Sequence, residues 1–201
     1  MKYISQLEYE HIPYYNNTRV EPTVSNVKKT GCGLCSLAMM LEHITTDSIS
    51  IEELVKLSEE NGANGGVGTS MYILAPIIAE RFGLNYRSTS EISEVIGHLR
   101  AGGHVIVHVV SKERGAVHGL FTKTGHFMSI ISTDGKDFCY FDPSYTTKKF
   151  STPERIGKID ASAFPFLYCG IELMHGERER AKACYHLFSR IPSPNDERID
   201  N

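Results

Sequence analysis

The chain has 201 residues, which suits one domain of ordinary size, and its hydrophobic fraction of 41% is enough for a buried core. The formal net charge is −3, and no run of Lys and Arg longer than two residues occurs in the body of the chain. The sequence therefore offers no basic surface of the kind that binds nucleic acid, and we predict no nucleic-acid partner.

The N-terminus and the cysteines indicate where the protein works. The first ten residues have no apolar central region and carry acidic side chains early, so they do not resemble a secretory signal. The longest apolar stretch, residues 105–110, is interrupted by His108 and is too short to cross a bilayer. Five cysteines leave at least one thiol unpaired, and without an export signal we expect reduced thiols. These features predict a cytoplasmic protein without a membrane segment; the sequence leaves its oligomeric state open.

The chain changes its hydrophobic period near the middle. After an extended entry segment over residues 1–31, helical spacing predicts helices over residues 34–44, 51–60, 71–82 and 90–99. Short β-branched and aromatic runs then predict strands over residues 103–110, 126–132, 138–141 and 166–172. Helices followed by strands indicate an α+β fold with an antiparallel sheet. We expect one domain over residues 1–175, followed by a charged, partly frayed segment over residues 176–201.

Cys32 lies in the sequence Gly-Cys-Gly-Leu-Cys, directly before a helical run. A helix N-terminus favours the thiolate, which is the nucleophilic form of cysteine. Two functions compete: a nucleophile with a distant His partner, or a Cys-x-x-Cys redox or metal pair with Cys35. A thioredoxin-like pair follows a hydrophobic strand, whereas residues 25–30 are polar, and a zinc site would need a second pair of ligands. The nucleophile is the favoured interpretation, and Cys35 then has a packing role.

His126 begins one predicted strand, and Asp142 closes the next one. Between the two strands, Asp134-Gly135 is a strong hairpin signal. Because the start of one antiparallel strand lies opposite the end of its neighbour, we expect His126 and Asp142 side by side at one end of the sheet. A nucleophilic cysteine needs a His to transfer protons, and that His needs an orienting acceptor. The sequence thus predicts a triad of Cys32, His126 and Asp142.

Three ordered motifs carry a resemblance to a known family. They are GCGLCSLAMM from residue 31, GHFMSII from residue 125 followed by DG at 134–135, and FDPS from residue 141. Together they resemble the bacteriocin-processing (double-glycine leader) cysteine peptidases and their stand-alone relatives, over roughly residues 1–150. The resemblance implies a bacterial thiol peptidase with a papain-like fold, in which an N-terminal helical half packs on a C-terminal antiparallel sheet. It also implies Cys32 as nucleophile, His126 as general base and acid, and Asp142 as the residue that orients the imidazole.

The chain departs from that family at two places. Leu34-Cys35 replaces the Pro and small hydroxyl residue that commonly follow Gly-Cys-Gly, which leaves the chemistry intact. Asn26 stands six residues before Cys32, where leader peptidases usually carry the Gln that donates a hydrogen bond to the oxyanion. Asn26 is therefore the candidate oxyanion donor, Gln6 and Asn17 are the alternatives, and the backbone N–H of Cys32 is a second donor.

The resulting hypothesis is a peptidase or amidase that forms an acyl-thioester on a peptide or small amide substrate and needs no cofactor or metal. Hydrolysis and acyl transfer to an amine share this intermediate, so the sequence does not separate them. Because the family's Gln is missing, a catalytically weak protein that holds a peptide in the same cleft is the alternative function. A Cys-x-x-Cys redox protein comes third. Loops over residues 61–70 and 111–125 are expected to flank the cleft.

Overall fold

The computed structural model describes residues 2–15, 25–65 and 68–191, and those residues form seven α-helices. The helices are α1 (Val27–Thr30), α2 (Cys32–Ile44), α3 (Ile51–Glu60), α4 (Met71–Arg81), α5 (Ile92–Arg100), α6 (Thr147–Phe150) and α7 (Ile171–Gly176). The four predicted helices correspond to α2, α3, α4 and α5. Across the described ranges, every helix falls short of the length and apolar character needed to cross a membrane.

Seven strands of the described residues form one antiparallel sheet. They are β1 (Leu84–Thr89), β2 (His104–Val110), β3 (Gly125–Thr133), β4 (Asp137–Phe141), β5 (Ile159–Ala163), β6 (Phe166–Gly170) and β7 (Tyr185–Arg190). Their order across the sheet is β1-β7-β2-β3-β4-β6-β5. The predicted α+β class with an antiparallel sheet is therefore confirmed.

The structure corrects the domain boundary predicted at residue 175. The segment after it contributes β7, which lies between β1 and β2 and pairs Phe188 with Tyr86 and Leu187 with Val105. Phe188 and Leu187 are almost fully buried, on opposite faces of the sheet. Residues 176–191 thus belong to the domain, and the charged run that precedes β7 concealed this short strand. The rest of the expected frayed segment, residues 192–201, lies outside the described residues.

The predicted strand over residues 166–172 is shorter than expected. β6 ends at Gly170, and Ile171 and Glu172 begin α7 instead. The backbone N–H of Ile171 donates to Lys136 O, so the chain turns away from β4 there. Periodicity alone cannot separate a short apolar run in a strand from one that enters a helix. β1 and β5, the two edge strands, were also not predicted, because they carry mostly polar or small side chains.

The helix α2 lies against one face of the sheet and joins the two halves of the molecule. Its apolar side chains share a buried cluster with Ile106 and Ile131 from the sheet, and Ser129 Oγ donates to Ser36 O at 3.2 Å. Alternate strand residues such as Val107 face the second core on the other side. Each fully buried aliphatic side chain contributes about 1.5–3 kcal/mol. The expected packing of a helical half on an antiparallel sheet is therefore observed.

The N-terminal segment runs beside the end of β4 and ties it to α1. The Tyr3 hydroxyl donates to Asp142 O at 2.8 Å, and the Gln6 backbone N–H donates to Pro143 O at 2.9 Å. The Gln6 side chain, which is 5% exposed, donates through Nε2 to Lys28 O at 2.7 Å. This segment thereby connects the loop after β4 to α1, the short helix that leads into α2.

Candidate active site

Cys32 is the first residue of α2, and Gly31 allows the two helices to meet there. The N–H of Gly31 donates to Val27 O at 2.7 Å, and a Cβ at position 31 would lie 2.4 Å from the Val27 side chain. Only glycine fits that close approach. The Cys32 thiol is partly buried, and the backbones of Phe127 and Gly33 lie close enough to act on it. The thiol is therefore held at the N-terminus of α2, against the start of β3.

His126 lies at the start of β3 and is brought beside Asp142, which follows β4 directly. His126 Nε2 lies 2.7 Å from Asp142 Oδ1, and their side chains are 7% and 0% exposed. Because an ionised carboxylate only accepts hydrogen bonds, Nε2–H is the donor. The charges of the imidazole and of the Cys32 thiol act on each other, and Nδ1 is the ring nitrogen left to face the sulfur. The structure thus brings the three residues of the predicted triad together in the order Cys32, His126, Asp142.

Proton affinities in this row of side chains follow from their neighbours. Burial alone would raise the pKa of the Cys32 thiol, but the charge of His126 and the hydrogen bonds to the sulfur lower it below the ordinary value. Burial alone would lower the pKa of His126, but the charges of Asp142 and Cys32 and the hydrogen bonds to both raise it to about 9. The arrangement favours a thiolate next to an imidazolium, which is the reactive form of a cysteine nucleophile.

The Asp142 carboxylate is saturated with hydrogen bonds. Oδ1 accepts from His126 Nε2, from Ser144 N at 2.7 Å and from Ser144 Oγ at 2.8 Å. Oδ2 accepts from Lys149 Nζ at 2.6 Å. Burial alone would raise the pKa of this carboxyl, but the charges of Lys149 and His126 keep it well below its usual range. Asp142 therefore stays ionised and fixed in orientation.

Ser144 and Lys149 are site residues that sequence reasoning missed. Ser144 belongs to the FDPS motif, so the motif could have indicated it, but nothing assigned it a contact. Lys149 reaches the site from α6, whose first turn is capped by Thr146 Oγ1 accepting from Lys149 N. A lysine seven residues after Asp142 carries no signal in the sequence, since only the path of the chain brings it back.

The three candidate oxyanion donors have different surroundings. Asn26 caps α1, and its Oδ1 accepts from Lys29 N at 3.1 Å, so its amide nitrogen is the group that could donate. Gln6 has its Nε2 committed to Lys28 O, and its buried Oε1 has no hydrogen-bond partner. Asn17 lies outside the described residues. Asn26 thus remains the better candidate of the two that the structure describes.

The loop over residues 111–125, expected beside the cleft, is anchored by a fully buried carboxylate. Glu177 Oε1 accepts from His118 N at 2.7 Å, and Oε2 accepts from Leu120 N at 2.6 Å. The backbone of Glu177 also accepts from Val110 N at 2.9 Å, at the end of β2. This anchoring fixes the chain that leads into His126.

Cys35, the candidate redox partner of Cys32, is fully buried within α2. Burial raises the pKa of its thiol, and the nearby Cys32 raises it further. Both sulfurs are free thiols in the structure. A redox exchange would require the Cys35 sulfur to be reached and deprotonated, and its surroundings oppose both. Its packing role in the helix agrees with this position.

A helical half with a cysteine at the start of one helix, packed on an antiparallel sheet, is the architecture of papain-like cysteine peptidases. The chain belongs to the Peptidase_C39 like family, whose model matches residues 2–158. No curated protein matches the sequence.

Two solved structures place this fold among peptidase domains. The peptidase domain of Streptococcus ComA, a bifunctional ABC transporter involved in a quorum-sensing pathway, is similar with a TM-score of 0.51 at 18% identity, over 80% of this chain and 91% of that chain. A C39-like peptidase from Bacillus anthracis is similar with a TM-score of 0.57 at 14% identity, over 96% of both chains. At these identities the likeness shows the fold, and the second structure extends it beyond the residues that the family model matches.

Proposed function

We propose that this protein is a cysteine peptidase or amidase in which Cys32, His126 and Asp142 act as a triad. The observation that carries the proposal is the 2.7 Å hydrogen bond from His126 Nε2 to Asp142 Oδ1, on a ring that also interacts electrostatically with the Cys32 thiol. A nucleophile, a base and an orienting acceptor in contact are the arrangement that acyl-transfer chemistry needs. Because the pKa of Cys32 is lowered, the thiol can be ionised while the imidazole is still protonated.

The reaction proceeds in two stages. The Cys32 thiolate attacks the carbonyl carbon, and the His126 imidazolium gives its proton to the leaving amine as the C–N bond breaks. An acyl-thioester then remains on Cys32. Water attacks this thioester while His126 takes a proton from the water molecule. The C–S bond then breaks, which releases the carboxylic acid and restores the Cys32 thiolate. An amine in place of water would give acyl transfer by the same steps.

The oxyanion of each tetrahedral intermediate needs hydrogen-bond donors. The backbone N–H of Cys32 lies in the first turn of α2, where N–H groups have no helical partner. Asn26 is the second donor. Its Oδ1 already accepts from Lys29 N, so its amide N–H groups are the ones that donate to the oxyanion. We assign these two groups to the oxyanion.

A cleavage assay with a matched cysteine control tests this function. The substrates are a panel of synthetic peptides that includes Gly-Gly sequences, with products identified by mass spectrometry. Cys32→Ala is expected to lower kcat/KM by about 10³-fold or more, because it removes the nucleophile. Cys139→Ala is the control, since the side chains that act on the Cys139 thiol are Tyr168 and Ser132 and belong to no part of the triad, and it should cleave like the parent. A Cys32→Ala protein that cleaves as fast as the parent would refute the proposal.

A peptide-binding protein with the same cleft is the second candidate. It is favoured by Asn26, which is one methylene shorter than the Gln common in leader peptidases and is already used to cap α1. Such a protein would bind peptides of the panel by calorimetry without forming products or an acyl adduct on Cys32. Formation of that adduct in the parent would exclude it.

The cytoplasmic location predicted from the N-terminal sequence also stays a prediction. Cell fractionation followed by detection of the protein tests it, because a cytoplasmic protein is recovered with the soluble cell contents. Recovery outside the cell would contradict it.

A further inference from the structure

Lys149 is the cation closest to the Asp142 carboxylate, and it comes from an element that the triad does not otherwise use. Its Nζ lies 2.6 Å from Asp142 Oδ2 and 2.7 Å from Ser144 Oγ. The side chain is 19% exposed, whereas that of Asp142 is fully buried. A hydrogen-bonded ion pair this well shielded from water is strongly coupled. The geometry therefore joins Lys149 to the far end of the triad.

Lys149 is also close to His126. Ser144 Oγ lies 2.7 Å from Lys149 Nζ and 3.2 Å from His126 Nε2, so the ammonium lies within about 6 Å of the imidazole, a range in which a like charge shifts proton affinity. Cys32, His126, Asp142 and Lys149 thus form a row in which negative and positive charges alternate. In this row the positive charge of Lys149 balances the negative charge of Asp142.

Apart from the Arg114–Glu179 ion pair, whose opposite charges act on His108, the other titratable groups near this row are neutral near pH 7. His108, on β2, acts on His126, but burial lowers its pKa to about 4. Tyr3 and Tyr140 both act on Asp142, and burial raises the pKa of each far above neutrality. Lys149 is therefore the charge that opposes Asp142 from outside the triad.

We propose that Lys149 is a positioning residue of this site: it fixes the Asp142 carboxylate through Oδ2 and limits how tightly His126 holds its proton. The inference rests on the proposed function, because it concerns the proton that His126 must return to the leaving amine. An imidazolium beside a buried, unbalanced carboxylate would release that proton only at high pH. General acids work best when their pKa lies near the working pH. The positive charge of Lys149, at the far end of the carboxylate, lowers the pKa of the His126 imidazole towards that range.

Labelling of Cys32 with iodoacetate tests the proposal without a known substrate. Iodoacetate is an anion, so its reaction needs the thiolate and is favoured by the imidazolium of His126. In the parent the rate should rise with pH as Cys32 loses its proton and fall as His126 loses its proton near pH 9. Peptide mapping by mass spectrometry identifies the labelled cysteine, and the pH at which the rate falls reports on His126.

Lys149→Met and Lys149→Gln remove the positive charge. Both should move the falling limb to higher pH by about one unit, because loss of a nearby cation raises the affinity of His126 for its proton. The Gln variant keeps an N–H donor for Asp142 Oδ2, so it preserves the hydrogen bond that supports the fold. Lys149→Arg keeps the charge and should leave the limb near its parental position. Lys148→Met, an exposed neighbour in the same helix, is the matched control and should match the parent.

Two results would overturn the inference, and they differ in what else they affect. If Lys149→Met and Lys149→Gln lower the urea midpoint of unfolding but leave the falling limb in place, Lys149 has a structural role only and the triad proposal stands. If His126→Gln retains the falling limb, the titrating group is not His126, and both proposals fail together.

Discussion

Asp142→Asn should destabilise the protein although the two side chains have nearly the same shape. Asn can still accept from His126 and Ser144, but it brings an N–H group towards Lys149 Nζ, where Asp142 Oδ2 accepts at 2.6 Å in the parent. Breaking a buried ion pair by removing one partner costs about 3–5 kcal/mol. The Lys149 side chain is 19% exposed and can move partly into water, so we expect a loss near the lower end, about 3 kcal/mol.

A double-mutant cycle at pH 7, followed by urea unfolding, separates the ion pair from the rest of the site. Lys149→Met alone leaves the buried carboxylate short of one partner and should cost about 3–5 kcal/mol. The double variant Asp142→Asn/Lys149→Met removes both charges, leaves the Cys32–His126 pair balanced, and should cost less than the sum of the two single losses, by about 0.5–3 kcal/mol. Single losses that simply add up in the double variant would show that Asp142 and Lys149 are not coupled, which would refute the reasoning.

Two further predictions concern Asn26 and the C-terminal strand. Asn26→Asp keeps the oxygen that caps α1 but has no N–H to donate. We therefore expect kcat to fall by about 10²–10³-fold with little change in stability. An unchanged kcat in the peptide assay would show that Asn26 does not bind the oxyanion. A chain that ends at residue 183 lacks β7, which leaves β1 and β2 without their shared neighbour, and it should lose cooperative urea unfolding measured by circular dichroism. A chain that ends at residue 191 is its control and should unfold like the full chain, whereas cooperative unfolding of the shorter chain would contradict the role of β7.

Much of the fold followed from local patterns. The four longest helices were predicted because their apolar residues repeat at helical spacing, and α3 begins at a favourable N-cap, with Ser50 Oγ accepting from Glu53 N at 3.1 Å. The strands β2, β3 and β4 were predicted because they are rich in β-branched and aromatic residues. β1, β5 and β7 were missed, since their side chains are polar, small or preceded by a charged run; β1 and β7 also pair with strands distant in sequence.

The meeting of His126 and Asp142 could be predicted because a hairpin is a local structure. Asp134 indeed shapes the turn, with Oδ1 accepting from Lys136 N at 2.8 Å and from Asp137 N at 2.7 Å. The similar arms on either side of this turn bring the start of β3 and the end of β4 together, although the register shifts by one residue between Ile130 and Ser132.

The sequence by itself determined the helices and central strands, the hairpin that pairs His126 with Asp142, and the thiol at the start of α2. These depend on side-chain period, turn residues and helix ends, which act over a few neighbouring residues. Only the tertiary structure decided that Lys149 balances Asp142, that Gln6 joins the loop after β4 to α1, and that β7 completes the sheet. Each of those contacts depends on where the backbone carries a residue after the local elements have packed, and no spacing along the chain encodes that path.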